Sequence, residues 1–112
     1  ALFKKNDEHA IQGFSHIVLG EIYENQNNFL YAMEAYKKAE GIYNHIFKDI
    51  DGADISYLYK NFAILGEKLK DDFITQTYFQ LLLKHFGRDH FRTQEVVDYL
   101  ESKKRQVPWS KL

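Results

Sequence analysis

"LGEIYENQNNFLYAMEAYKKA", residues 19–39, is the stretch that decides the fold of this chain. Its small and aromatic residues recur at helical intervals, at Gly20, Tyr23, Ala32, Tyr36 and Ala39. Two helices pack closely only where one supplies a small residue opposite the bulk of the other. The polar run NQNN lies where such a pair would turn. The stretch therefore predicts an antiparallel helical hairpin, with Gly20 and Ala32 as the points of closest approach.

The rest of the chain has the same helical period, and strand-type alternation is not sustained anywhere. In the first segment, apolar residues lie three or four positions apart, at Ile11, Phe14, Val18 and Ile22, which predicts an amphipathic helix. We predict an all-α fold of five helices with short connections, and hence antiparallel neighbours, at about 7–25, 29–47, 55–69, 73–86 and 93–104.

Polar residues at the starts of these segments are typical of helix caps. A short polar side chain before a helix accepts a hydrogen bond from a free backbone amide of the first turn. The predicted N-caps of the second to fifth helices are, in order, Asn28, Asp54, Asp71 or Asp72, and Thr93. Gly87 is predicted to close the fourth helix in the left-handed conformation.

Length and composition indicate one globular domain. The chain has 112 residues, of which 45% are hydrophobic. It contains no cysteine, which excludes disulfides, thiolate metal sites and thiol nucleophiles. A cysteine-free chain fits a reducing compartment, so we expect a cytoplasmic protein. Because the sequence starts with Ala rather than Met, we also expect it to be part of a longer protein.

The charge pattern argues against two classes of partner. The 15 basic and 16 acidic residues nearly balance, whereas a general nucleic-acid binder gains its affinity by neutralising phosphates. No stretch approaches the roughly 20 apolar residues of a membrane span, so no membrane contact is predicted. Charge is uneven along the chain, with a net −4 in residues 1–83 and +3 in residues 84–112. The basic end either is a solvated terminus, which we favour, or meets an acidic partner.

No constellation of residues indicates catalysis or a metal. His9 and His16 share a helix face but are separated by about 10 Å of rise, and His85 and His90 flank the Gly87 turn without a third ligand. The segment DIDGAD, residues 49–54, resembles part of a calcium loop but lacks the closing glutamate. We therefore predict a non-enzymatic protein without a cofactor or a metal.

The spacing in residues 19–39 resembles the tetratricopeptide repeat, a helical hairpin with a period of about 34 residues. The family pattern is matched at six positions: Leu19, Gly20, Tyr23, Ala32, Tyr36 and Ala39. The aromatic residue before the second helix is also present, as Phe29. Two positions depart from the pattern, with His16 where a bulky residue is common and Asn44 in place of the closing proline.

A weaker second copy follows 43 residues later, with Ala63 in the place of Gly20. Its other matching positions are Phe62, Gly66, Thr75 and Phe79, and Leu82 stands where alanine is usual. The resemblance implies a right-handed α-solenoid fragment, with repeats over 7–47 and 54–86, a capping helix over 93–104 and a tail over 105–112. Such long units also resemble the C-terminal halves of bacterial peptide-pheromone-responsive transcription regulators.

In that family the first helices of successive repeats line a groove that binds a peptide or a protein segment. The groove positions that the resemblance implies are Phe14, Ile17, Val18, Glu21, Glu24, Asn25, Tyr57, Lys60, Asn61, Ile64 and Glu67. The amide of Asn61 could hold a peptide backbone, or it could face water or cap a turn. Lys60 could pair with a peptide carboxylate or be an ordinary surface lysine.

The acidic residues of the groove set the expected ligand. Glu21 and Glu24 would favour a peptide with a basic residue or a free amino terminus. The alternative is a structural module that forms homodimers through exposed helical ends, which Val97 or Leu100 would mediate. Trp109 either packs back as an anchor of the tail, which we favour, or contacts a partner.

Overall fold

The structure is a computed structural model that describes residues 5–45 and 52–109. These residues form five helices and no strand: α1 Lys5–Asn25, α2 Phe29–His45, α3 Gly52–Lys68, α4 Asp72–His85 and α5 Phe91–Ser102. The predicted all-α class is confirmed. The predicted end of the second helix and the first half of the segment DIDGAD lie outside the described residues. The chain divides within α3 into two compact units, residues 1–58 and residues 59–112, and each is described by itself.

In the first unit, α1 and α2 approach each other where glycines meet tyrosine rings. A Cβ at Gly20 would collide with the ring of Tyr36, and a Cβ at Gly13 would collide with the ring of Tyr43. Both tyrosines are buried. The two contacts are two helical turns apart on each helix. At both of them a tyrosine ring of α2 packs against a glycine of α1. The predicted close approach at Gly20 is confirmed, and the one at Gly13 was missed.

In the second unit, α3 and α4 are joined by a polar contact at their closest point. The hydroxyl of Thr75 donates to the backbone carbonyl of Ala63 at 2.9 Å, and a Cβ at Gly66 would collide with Thr75. The surrounding core is apolar and draws on all three helices of the unit, with Phe62, Phe79, Leu82, Val96 and Leu100 buried. Small residues such as Ala63 and Gly66 let the backbones of two helices come close where they cross.

The ends of α1 and α3 share one turn geometry, 43 residues apart. In each, one residue adopts a left-handed conformation, Asn27 with φ 60° and Lys70 with φ 59°. The next backbone N–H donates to the carbonyl five residues earlier, at 2.8 Å in both turns. This is the Schellman arrangement of a helix C-terminus. The displacement equals the offset between the two copies of the sequence pattern.

The end of α5 repeats this turn once more. Lys104 is left-handed with φ 56°, and the N–H of Arg105 donates to the carbonyl of Leu100 at 2.8 Å. Lys104 follows Lys70 by 34 residues. Helix α4 ends differently, since Gly87 itself donates to the carbonyls of both Leu82 and Leu83. Among the helix ends that the structure describes, the shared turn therefore belongs to α1, α3 and α5.

Two of the predicted caps are confirmed in the second unit. Asp71 precedes α4 and its side chain accepts from the N–H of Ile74 at 3.3 Å. Gly87 is left-handed, with φ 92°. Helix α2 begins directly after Asn28 as predicted, and the carbonyl of Asn28 accepts from Ala32.

Two other caps were wrong. Helix α5 begins at Phe91, because the Nδ1 atom of His90 accepts from the N–H of Arg92 at 3.1 Å and caps the helix earlier. Thr93 is instead buried in the first turn, where its hydroxyl donates to the carbonyl of Gly87. Asp54 lies within the first turn of α3, since that helix already includes Gly52.

Candidate functional site

Helix α1 has two apolar faces, and only one of them is covered within its unit. The face with Gly13, Ile17 and Gly20 is buried. The neighbouring face carries the residues that gave the sequence its helical period. Their exposed fractions are 52% at Ile11, 43% at Phe14, 39% at Val18 and 48% at Ile22. We call these four residues the α1 stripe.

Tyr57, on the part of α3 that belongs to the first unit, borders the α1 stripe. Its ring stacks on Phe14, with 6.3 Å between the ring centroids. Its hydroxyl donates to the Oε2 atom of Glu21 at 2.5 Å. Tyr57 therefore contacts two other residues that the sequence placed in the groove, Phe14 and Glu21.

Glu24 is held by the helix pair rather than by the α1 stripe. Its Oε1 atom accepts from the hydroxyl of Tyr36 at 2.6 Å. Burial raises the pKa of the Tyr36 phenol far above its ordinary value, and the hydrogen bond and negative charge of Glu24 add to that rise. The phenol is thus a permanent donor to Glu24 at neutral pH.

The two remaining positions predicted on α1 differ in accessibility. Asn25 is exposed at the last residue of the helix. Ile17 is fully buried, so its predicted place in a groove is wrong for this conformation. The reason is that the glycine-flanked face of α1 packs inward, and Ile17 lies on that face.

In the second unit, α5 covers the face of α3 that was expected to bind peptide. Lys60 pairs with Glu95 of α5 at 3.6 Å, and its side chain is only 13% exposed. The hydroxyl of Tyr99 on α5 donates to Glu67 of α3 at 3.2 Å. Lys60 therefore already has a counter-charge within the unit.

Asn61 is also enclosed, with an exposed fraction of 5%. Its Nδ2 atom is buried and has no hydrogen-bond partner in the structure. A buried amide offers nothing to a ligand in this conformation, so we leave Asn61 out of the binding surface. The sequence could not show this, because the burial of one polar residue on a helix is set by tertiary packing and leaves no local signal.

The second unit contains a cavity that the sequence did not indicate. Its volume is about 620 Å³, and it lies among the end of α3, the start of α4, the end of α5 and the residues after α5. Those last residues are anchored. The side chain of Gln80 donates to the carbonyl of Pro108 at 2.7 Å, and Trp109 packs edge-on against Phe79. The predicted role of Trp109 as a tail anchor is confirmed.

The histidines are not part of a metal site in the described residues. His90 is a helix cap, and its ring lies 5.1 Å from that of Phe86. Across the described parts of the chain, no group of three or more His, Cys, Asp or Glu side chains is placed to hold a metal ion. None of the described helices has the length and apolar character needed to cross a membrane.

Comparison of the chain with protein-family models, with curated proteins and with solved structures gives no match. The site must therefore be interpreted from its own chemistry. The α1 stripe offers apolar surface next to carboxylates, and the cavity offers a partly open space with a buried carboxylate. Neither brings together a nucleophile, a base and an orienting group.

Proposed function

We propose that this chain is a non-enzymatic helical-repeat module of tetratricopeptide type that binds a peptide or protein segment through the α1 stripe. The observation that carries the proposal is the exposure of four large apolar side chains on one helix face. Monomeric soluble proteins expose such contiguous patches mainly where they bind partners. Within this class, the sequence resemblance favours the peptide-sensing part of a cytoplasmic bacterial transcription regulator.

The repeat assignment is supported by the helix ends. Helices α1, α3 and α5 close with one hydrogen-bond pattern, displaced by 43 and then by 34 residues. A period of about 34 residues is that of the tetratricopeptide repeat. In this interpretation α1, α3 and α5 are the first helices of successive units. The groove of such arrays is lined by first helices, and the α1 stripe lies on one of them.

The charge next to the α1 stripe indicates the kind of segment that would bind. Glu21 lies beside Phe14 and Tyr57, and Glu24 is one turn further on. Residues 1–58 carry 5 basic and 9 acidic side chains, a net charge of −4. Complementary charge steers a partner and sets its register. We therefore propose a partner with an apolar helix face flanked by lysine or arginine.

The test uses two labelled amphipathic peptides that share one leucine face. One carries lysines on its polar face and the other carries glutamates in their place. We expect saturable binding of the lysine peptide by fluorescence anisotropy, and affinity for the glutamate peptide weaker by at least about tenfold. Equal binding of both peptides would contradict the proposed charge preference.

Variants locate the binding on the surface. Val18→Asn removes apolar surface from the α1 stripe without changing charge. It should lower the affinity for the lysine peptide by about tenfold. The matched control is Leu30→Asn on α2, because Leu30 is also exposed, at 76%, but lies outside the stripe. If Val18→Asn binds like the wild type while both variants stay folded, the α1 stripe is not the site.

A second candidate function is self-association of the chain, and one observation favours it. Residues 1–83 carry a net −4 and residues 84–112 a net +3, so two copies could attract each other head to tail. The surface originally expected to mediate a dimer does not support it. Val97 and Leu100 are 7% and 2% exposed and belong to the core of the second unit.

A further inference from the structure

The cavity of the second unit combines one buried charge with an apolar wall. It is lined by Glu67, Asp72, Thr75, Gln76, Leu100, Lys104, Arg105, Gln106, Val107, Pro108 and Trp109. A volume of about 620 Å³ lies within the ordinary range for small-molecule sites. Leu100, Val107 and Trp109 supply apolar surface, and Glu67 is the most buried of the charged residues, with 5% exposed.

Glu67 occupies the position of Glu24 in the earlier hairpin, 43 residues on. In the first hairpin, the hydroxyl of Tyr36 donates to Glu24 at 2.6 Å. The equivalent of Tyr36 in the second hairpin is Phe79, which has no hydroxyl. Glu67 therefore lacks the short hydrogen bond that its counterpart receives, although it is the more buried of the two carboxylates.

Among the described residues, Glu67 accepts hydrogen bonds from Lys70 and Tyr99, both at the long end of the ordinary range. Lys70 and Tyr99 each donate to one of its oxygens at 3.2 Å. The side chain of Lys70 is 72% exposed, so its charge is largely solvated. A carboxylate has about four lone-pair sites, which leaves acceptor capacity on a buried anion. The ion pair with Lys70 is exposed on the lysine side, and a cation in the cavity would give the buried carboxylate a second counter-charge that is itself removed from water.

The other charges of the lining are exposed and partly paired. Asp72 and Arg105 form an ion pair at 3.0 Å. Lys104 and Arg105 are exposed. The apolar wall is held in place from behind, because the guanidinium of Arg88 lies 4.0 Å from the centroid of the Trp109 ring. The cavity thus offers a fixed aromatic surface and a buried carboxylate to one ligand.

We propose that this cavity binds a small organic cation, an ammonium or guanidinium group carried on an apolar body. The cationic group hydrogen-bonds to Glu67, and the apolar body packs against Trp109, Leu100 and Val107. Charge-assisted hydrogen bonds of this kind are the strong ones in proteins. The site belongs to the second unit and does not rest on the α1 stripe or its proposed partner.

Trp109 gives the experiment a direct readout, since it is the only tryptophan of the chain and lines the cavity. The whole chain is titrated with phenethylamine, 2-phenylethanol and phenylacetate in phosphate buffer, because amine buffers would compete. The three probes share a body and differ in charge. We expect a saturable change of tryptophan fluorescence with the amine, affinity for the alcohol about tenfold weaker, and no binding of the carboxylate.

Variants assign the preference to Glu67. Glu67→Gln keeps one of the two acceptor oxygens, so it retains the bond from Lys70 or the bond from Tyr99, and it removes the charge. The amine and the alcohol should then bind within about twofold of each other. Glu101→Gln, at an exposed glutamate of α5 outside the lining, is the matched control and should keep the preference. Gln76→Phe fills the cavity without touching Glu67 and should abolish binding of both probes.

A further pair of probes distinguishes a free amine from a basic side chain of a peptide. Acetyl-Phe-Lys-amide that binds more tightly than phenethylamine, with acetyl-Phe-Gln-amide much weaker, identifies a peptide as the source of the cation. Tighter binding of phenethylamine than of acetyl-Phe-Lys-amide identifies a small amine as the source. Circular dichroism verifies that each variant is folded. The proposal is overturned if the amine does not saturate, if the alcohol or phenylacetate binds as well as the amine, or if folded Glu67→Gln retains the preference.

Discussion

Gly20 illustrates how one absent side chain sets the spacing of a helix pair. The Tyr36 ring fills the space where a Cβ would stand, and that ring is fully buried. We predict that Gly20→Ala lowers the free energy of unfolding by about 1–3 kcal/mol, because overpacking displaces a buried ring. The helix propensity gained by alanine, about 1 kcal/mol, offsets only part of that loss. Urea denaturation monitored by circular dichroism measures the difference.

The chain offers a matched control for Gly20 on the partner helix. Gly41 is exposed in α2, and a Cβ added there meets no atom of the described residues within 4 Å. Gly41→Ala should therefore raise the free energy of unfolding by about 0.5–1 kcal/mol through helix propensity alone. If both alanines stabilise the protein, the close contact with Tyr36 is not a constraint on the fold.

The two buried tyrosines predict how stability changes at alkaline pH. Burial raises the pKa of the phenols of Tyr36 and Tyr43 above the ordinary value of 10.0, with lesser contributions from the charges of Glu24 and Asp54 respectively. Above pH 10 the unfolded chain therefore releases protons that the folded chain keeps. The free energy of unfolding is at its full value below that pH and falls as the pH rises through it.

Variants of these tyrosines separate this effect from general alkaline denaturation. Tyr36→Phe and Tyr43→Phe together should flatten the decline of urea midpoints above pH 10 relative to the wild type. At neutral pH the two single variants should differ in their free energy of unfolding. Tyr36→Phe loses the bond to Glu24 and costs about 1–2 kcal/mol, whereas the Tyr43 hydroxyl is buried without a partner and its loss is neutral or stabilising. An unchanged alkaline slope would contradict the linkage.

At the scale of the helices, the shared C-terminal turn makes a prediction at Lys104. This residue holds φ 56°, a conformation that costs a non-glycine residue roughly 1 kcal/mol. Lys104→Gly should raise the free energy of unfolding by about 0.5–1 kcal/mol. Thermal denaturation compares it with Lys84→Gly inside α4, which should lower stability by about 1 kcal/mol. A destabilising Lys104→Gly would show that the turn does not control the end of α5.

The helices were predictable because their signals are local. Caps such as Asp71 and helix-ending residues such as Gly87 act on neighbouring residues, so the sequence alone predicts them. Thr93 was misassigned because the imidazole of His90 capped the helix one turn earlier, and histidine is a rare cap. A left-handed lysine, as at Lys70, carries no sequence signal. The left-handed conformation of Lys70 is visible only in the structure.

Which face of a helix is buried was harder to predict than where the helix lies. On α1 the four apolar residues of the α1 stripe are exposed, and the face with Gly13, Ile17 and Gly20 is buried. Glycine adds little to a hydrophobic pattern, yet it admits the rings of Tyr43 and Tyr36. Asn61 is also buried, although a polar residue at this position was expected on an open groove. Two of the predicted site residues, Phe14 and Glu21, lie beside the packed face rather than on it.

For the whole molecule, the decisive question is whether the α1 stripe binds a different chain or a second copy. Stable protein interfaces bury roughly 800 Å² on each partner. The four residues of the α1 stripe are about 39–52% exposed and supply much less than that. A short peptide that wraps its apolar face around them needs a smaller area. The size of the stripe therefore favours a transient partner over a permanent dimer.

We accordingly predict that the chain sediments as a monomer at moderate and high salt. At low salt, weak association between the acidic and basic halves is expected, and it should disappear as salt screens the charges. Sedimentation velocity across protein and salt concentrations, with Val18→Asn beside Leu30→Asn, tests this. A dimer that persists at high salt and that only Val18→Asn dissociates would replace the peptide-binding proposal with self-association, because apolar contacts survive screening whereas head-to-tail charge pairing does not.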